Sequence, residues 1–191
     1  SGANNTAVGF RAGQFATTSD NSLFVGYSAG QGITGVKLTG NANTAIGHES
    51  GLLLQGTATH NTFLGRRSGD AVTTGTYNTI IGDESDPSSA TGTNQSTLGY
   101  GVTGVADNSV TLGNSSVTNL YVAPGGANQT IVFRDSADQG KIHYDHGNEM
   151  FRIFVGGAEH TKFSNDGDLI LLHGGVNFLD AEGTSASSDA N

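Results

Sequence analysis

A chain of 191 residues with 30 glycines, 2 prolines, no Cys, no Trp and 35% hydrophobic residues is neither a collagen, which needs Gly at every third position, nor a disulfide-stapled domain. Its formal charge of −9 argues against a phosphate-binding or nucleic-acid-binding surface, which needs net Lys and Arg. The longest aliphatic run, residues 169–172, is far too short for membrane insertion as a helix. Abundant Thr, Ser and Asn, with few long helix formers, predict an all-β chain whose many tight turns use Gly.

The chain opens Ser-Gly without Met or a signal-peptide pattern and reads as an excerpt from a longer chain. Its first 117 residues then repeat one phrase, exemplified by Asn-Thr-Phe-Leu-Gly-Arg-Arg-Ser-Gly at 61–69. Aligned on the Gly that ends the short apolar pair, seven copies follow one another at Gly9, Gly26, Gly47, Gly65, Gly82, Gly99 and Gly113. The intervals are 17, 21, 18, 17, 17 and 14 residues, as in a stacked coil with loops of adjustable length.

Each column of the alignment has its own chemistry. Before the Gly stand Val8, Val25, Ile46, Leu64, Ile81, Leu98 and Leu112, all aliphatic and therefore expected as the core. Two positions earlier, on the same strand face, come Thr6, Leu23, Thr44, Thr62, Thr79, Ser96 and Val110. The intervening column, Ala7, Phe24, Ala45, Phe63, Ile80, Thr97 and Thr111, is expected outside, either against another subunit or as a semi-exposed strand face.

The phrase opens on Asn5, Ser22, Asn43, Asn61, Asn78, Gln95 and Ser109, polar side chains able to pair from coil to coil and with the turn backbone. Small residues stand three after the Gly, and a second Gly follows in four copies, Gly13, Gly30, Gly51 and Gly69. The phrase thus predicts a short strand, a Gly turn, a second short strand and a loop. In the stretch between Gly26 and Gly47, residues 32–40 are expected to bulge out of the stack.

Two columns after the Gly test the stacking register. Phe10, Tyr27, His48, Arg66, Asp83, Tyr100 and Asn114 form the first, and Arg11, Ser28, Glu49, Arg67, Glu84, Gly101 and Ser115 the second. With coils about 4.8 Å apart, Phe10 stacks on Tyr27, Arg66 faces Asp83, and Glu49, Arg67 and Glu84 alternate in one ladder. Two apolar side chains per coil do little against the entropy of ordering a whole coil, so partner chains are expected.

The phrases at 5–13, 43–51 and 108–114 resemble the head repeats of trimeric autotransporter adhesins of the YadA type, and similar repeats occur in bacteriophage tail fibres and tail spikes. The resemblance covers about 60% of the chain and departs from the adhesins in its longer, uneven loops. It implies a left-handed parallel β-roll of seven repeats over residues 1–123, three chains side by side in an intertwined homotrimer.

Beyond a break at 123–126 the pattern changes. Short β-like runs with hairpin signals at Gly156-Gly157 and Asn165-Asp166-Gly167 predict a small antiparallel β meander over 124–179. Residues 180–191 are small and polar and read as a linker toward a C-terminal domain. This half is similar, more loosely, to tail-fibre proteins of tailed phages. That implies a virion location, with other tail proteins and a host surface polysaccharide or outer-membrane protein as partners. Placement on a bacterial cell surface is the alternative.

Candidate chemistry is sparse, and no catalytic residue, cofactor or metal is assigned. His143 and His146 suggest a metal, but positions three apart on a strand face opposite sides, and the His-x-His iron pair of some phage fibres is lacking. Asp166 and Asp168 suggest calcium, but a hairpin turn explains them better. Asp83, Glu84 and Asp86 suggest paired carboxylates of a glycan depolymerase, against a solvated charge ladder. Phe10, Tyr27 and Tyr100 share a column that either stacks on sugar rings or packs against neighbouring coils or chains.

Overall fold

The computed structural model describes residues 2–120 and, beyond them, the backbone of seven strands between 128 and 186. The chain forms two units, Ser1–Thr118 and Asn119–Asn191. The first is a parallel β-solenoid of about six turns. Its strands are β1 (Thr6–Val8), β2 (Leu23–Val25), β3 (Thr44–Ile46), β4 (Thr62–Leu64), β5 (Thr79–Ile81), β6 (Gln95–Leu98) and β7 (Ser109–Leu112), which form one sheet in sequence order. Pairing follows the sequence columns residue for residue: Thr62 lies beside Thr44 and Thr79, and Leu64 beside Ile46 and Ile81.

Polar side chains fix which face of each strand points inward. Asn43, Asn61, Asn78 and Gln95 are fully buried. Asn61 donates from Nδ2 to the Gly75 carbonyl at 2.8 Å and to Asn43 Oδ1 at 3.0 Å. Its own Oδ1 accepts the Asn78 backbone N–H at 3.0 Å. Asn78 repeats the pattern, donating to the Gly92 carbonyl at 2.7 Å and accepting the Gln95 N–H at 3.0 Å. The column thus runs as a hydrogen-bonded spine inside the coil, as its chemistry suggested, and ends on the exposed Asn5, whose Oδ1 accepts the Ser22 N–H at 2.9 Å.

That spine inverts the expected core. With Asn61 pointing in, strand alternation sends Thr62 out, Phe63 in and Leu64 out. The mixed column is the interior, Phe24 being 1% and Phe63 0% exposed, whereas Val8 is 58%, Leu64 47%, Leu98 52% and Leu112 51% exposed. Val25, Ile46 and Ile81 are half-buried. The seven aliphatic residues expected as core therefore line the outer face of the sheet.

Further core residues come from the return segments: Leu38, Leu54, Ala58, Val72 and Val102 are all fully buried. Ala16, Leu54 and Val72 each stand seven residues after a turn Gly, a column that was there to be read. The 32–40 segment bulges only in part. Ile33 pairs with Val36 across a tight turn, and Leu38 then re-enters the stack through parallel bridges to Ala16 and Gly56.

No second strand follows the Gly. Arg11, Ser28, Glu49, Arg67 and Glu84 have φ between 52° and 60°, and Gly13, Gly30, Gly51 and Gly69 between 55° and 62°. Left-handed residues two and four after the Gly cannot continue an extended strand. Backbone pairing still crosses the turn, as in Arg67 N–H to His48 O at 2.8 Å and Glu84 N–H to Arg66 O at 2.9 Å.

The two glycine columns have separate causes. The phrase-ending glycines Gly9 to Gly99 sit at φ 130–138°, and Gly113 at 76°. From Gly9 to Gly82, a Cβ would lie within 3.0 Å of the backbone of the next coil's Gly. The second glycines instead make room for rings: a Cβ on Gly51 or Gly69 would come within 3.0 Å of the Phe63 ring, and one on Gly13 or Gly30 within 2.8 Å of the Phe24 ring. Each phenyl ring is held between glycines of its own and the preceding coil, which is why Phe alternates with Ala in coils one to four.

The second unit contains β8 (Asn128–Arg134), β9 (Asp138–Asp145), β10 (Met150–Val155), β11 (Ala158–Phe163) and β12 (Leu169–Leu171), paired antiparallel in the order β12-β11-β10-β9-β8. In the tail read as a linker, β14 (Ser185–Ala186) pairs with β13 (Phe178–Leu179). The intervening turns, including the expected Gly156-Gly157 and Asn165-Asp166-Gly167, lie outside the described residues.

The ring-and-glycine packing predicts strong coupling. Gly69→Ala is expected to destabilise by about 2–4 kcal/mol through overpacking and left-handed strain. Combined with Phe63→Leu, the two losses should add up to at least about 0.5 kcal/mol less than their sum in a urea-denaturation double-mutant cycle. Strict additivity would contradict the packing.

Candidate functional surfaces

The solenoid has three candidate surfaces, two of which carry the residues singled out by sequence. The first is the turn column after the Gly. Phe10 stacks on Tyr27 with centroids 5.6 Å apart and planes at 20°, and Tyr27 on His48 at 5.0 Å and 14°. The Arg11 guanidinium lies 5.0 Å from the Phe10 centroid. The Phe10–Tyr27 stack follows the sequence register. It also engages ring faces that a sugar would need, on one side of Phe10 and on both sides of Tyr27. Tyr100, 64% exposed, has no ring stacked on it among the described residues.

Further along the column the contacts become ionic. Arg66 Nε lies 3.0 Å from Asp83 Oδ1, and Arg66 Nη2 lies 2.8 Å from Glu84 Oε1. Arg67 stands between Glu49 at 3.9 Å and Glu84 at 3.7 Å, and binds Asp70 more closely at 2.8 Å. The Arg66–Asp83 pair and the Glu49–Arg67–Glu84 ladder are the neighbours expected from the columns. Hydrogen bonds to Glu84 and then Asp83 raise the Arg66 pKa, and one to Asp70 raises that of Arg67. Exposed pairs of this kind contribute little to stability, because solvent screens them.

The carboxylates proposed for glycan cleavage are thus spread over different partners. Asp83 and Glu84 are tied to the arginines, while Asp86 accepts the Ala71 N–H at 3.2 Å. Arg67, Asp70, Glu84 and Asp86 line an open hollow of about 240 Å³. Among the described residues, no group of three or more His, Cys, Asp or Glu side chains is placed to hold a metal ion. His143 lies in β9, paired with Arg152 and Thr130. His146, Asp166 and Asp168 lie outside the described residues.

The second surface is the outer face of the seven-stranded sheet. Its aliphatic column runs through all seven strands, roughly 29 Å at the usual strand spacing, beside the Thr-rich column. Contiguous exposed apolar surface of this kind is uncommon on monomeric proteins. The third surface borders the other edge of that face, at Asn4, Asn21, Ala42, His60, Tyr77, Asn94 and Asn108, all with φ between 53° and 60°. Here His60 stacks on Tyr77 at 5.0 Å and 15°. Sequence reasoning missed this column, although it stands five residues before every turn Gly.

Comparisons with protein-family models, with curated proteins and with solved structures each returned no match. Among the described residues, no helix is long and apolar enough to cross a membrane.

Asp86 gives a pH prediction. Burial first, then the neighbouring Asp70, pushes its pKa from 3.8 up to about 6. A folded value above the unfolded one means that the fold favours the protonated form. This contribution is therefore full below about pH 4 and is lost as pH rises through about 6. A shift of this size is at most about 3 kcal/mol, reduced by solvent screening at this half-exposed site to about 1–2 kcal/mol. Asp86→Asn, which keeps an acceptor for Ala71, should stabilise by that amount at pH 8 and have little effect at pH 4 in chemical denaturation. An effect independent of pH would contradict the assignment.

Proposed function

We propose that this chain is a structural and adhesive segment of a homotrimeric bacteriophage tail fibre, which carries or positions host-receptor binding. The observation that carries this reading is the aliphatic column on the outer sheet face, from Val8 to Leu112, together with the repeat phrase that resembles adhesin heads and phage fibres. A strip of half-exposed Val, Ile and Leu along the whole stack gains stability when covered. Three parallel rolls set side by side around a common axis cover it in every coil, and the left-handed sense of the roll follows from the same resemblance. Intertwining of the second unit as a small meander belongs to this reading too.

In this role the solenoid is scaffold. Its surface columns hold coil to coil, and the uneven loops are where other tail proteins, a host polysaccharide or an outer-membrane protein would be met. The location is the virion. No enzyme activity, cofactor or nucleic-acid contact is assigned. The phrase at 43–51 equally suits the head of a bacterial trimeric autotransporter adhesin at the cell surface. A C-terminal membrane-anchor barrel in the full-length chain would decide for that alternative and against the phage fibre. Depolymerase activity is the weaker reading, because Arg66 and Arg67 hold two of the three carboxylates, Asp83 and Glu84.

Sedimentation equilibrium should give a trimer. Leu64→Glu with Ile81→Glu places six carboxylates in the shared interface and should weaken assembly at least ~100-fold. A folded monomer for the unmodified chain would overturn the reading.

A further inference from the structure

The proposed trimer leaves open which residues of one chain meet the next, and the two columns bordering the outer sheet face answer this. Around an axis parallel to the stack, a cyclic assembly joins unlike edges: the leading edge of one chain meets the trailing edge of its neighbour. Such a rotation keeps height along the axis, so residues of one coil face the same coil of the next chain. One edge carries Arg66 in the β4 coil and Asp83 in the β5 coil, paired at 3.0 Å. The other carries His60 and Tyr77 in the same two coils, stacked at 5.0 Å.

Resting on the trimer reading above, we infer that the Arg66–Asp83 pair of each chain docks against the His60–Tyr77 stack of a second copy, with the Tyr77 hydroxyl donating to the Asp83 carboxylate and the Arg66 guanidinium lying against the His60 ring. Three observations carry this. The two pairs match in height and chemistry, cation against ring and hydroxyl against carboxylate. Both edges continue directly from the unpartnered aliphatic face. His60 and Tyr77 also hold left-handed backbones at φ 56° and 60°, where the same column elsewhere mostly uses Asn, which tolerates that region. The Tyr77 side chain, 56% exposed, has only the ring contact with His60 among the described residues, which leaves its hydroxyl open to a group outside the chain.

The sequence has no cysteine, which makes crosslinking unambiguous. Tyr77→Cys and Asp83→Cys in one chain sit on opposite edges of β5, separated by a strand of roughly 10 Å, too far for a bridge within the chain. Oxidation is expected to convert most of the protein into covalent trimers on a non-reducing gel. Either single variant should stay monomeric on that gel, because three-fold symmetry keeps like residues apart. His60→Cys with Arg66→Cys is a second pair, should the first fail to fold. Sedimenting trimers that give no covalent product, or crosslinks in a single variant, overturn the docking while leaving the trimer standing. A sedimenting monomer overturns both.

Discussion

The solenoid depends on a buried line of side-chain amides. Asn43, Asn61, Asn78 and Gln95 each occupy an interior position where an unpaired polar group would cost about 1–3 kcal/mol. The three asparagines avoid that cost by bonding to the next coil's backbone or amide and to a turn carbonyl, and Gln95 by accepting from the Ser88 N–H and donating to Ser88 Oγ and Asp107 Oδ1. Because the bonds run between coils, they also set the coil spacing and forbid a slip in register. The strand that follows each amide then has no freedom of face: its second residue points in, its first and third point out.

Much of the remaining architecture follows from that parity. The inward position takes Phe only where flanking glycines leave space for a ring, and Ala, Ile or Thr elsewhere. The backbone must then turn sharply, which places non-glycine residues such as Arg67 and Glu84 in the left-handed region. The result is a coil with a thin apolar interior and an apolar exterior. Its outer face gathers Val, Ile and Leu into one strip, while charges and rings occupy the bordering columns. The proposed trimer rests on this distribution of surface.

The sequence made the columns legible because the phrase repeats. Residues that align by spacing are the residues that pair, from Thr6 beside Leu23 to Leu98 beside Leu112. The Phe10–Tyr27 stack and the Arg66–Asp83 pair could be read ahead for the same reason. The face could not be read from hydrophobicity alone: a uniformly aliphatic column suggests a core, yet here uniformity reflects an outward strip. The correcting signal lay in the amides. Asn61 and Leu64 are three apart and cannot both point inward from an extended segment, and only one of them has a polar group that must be satisfied. The absent second strand was hidden because left-handed φ at Arg67 or Glu84 leaves no mark in residue type. Leu38 was hidden by the irregular length of its loop.

Side-chain amide exchange tests the amide spine most directly. In an NMR experiment on the folded chain, the Nδ2 protons of Asn61 and Asn78 should exchange with solvent as slowly as the backbone amides of β4 and β5. The amide of the exposed Asn94 should exchange far faster. Rapid exchange at Asn61 and Asn78 in a folded protein would place them in solvent, reverse the parity of every strand and return Leu64 to the interior.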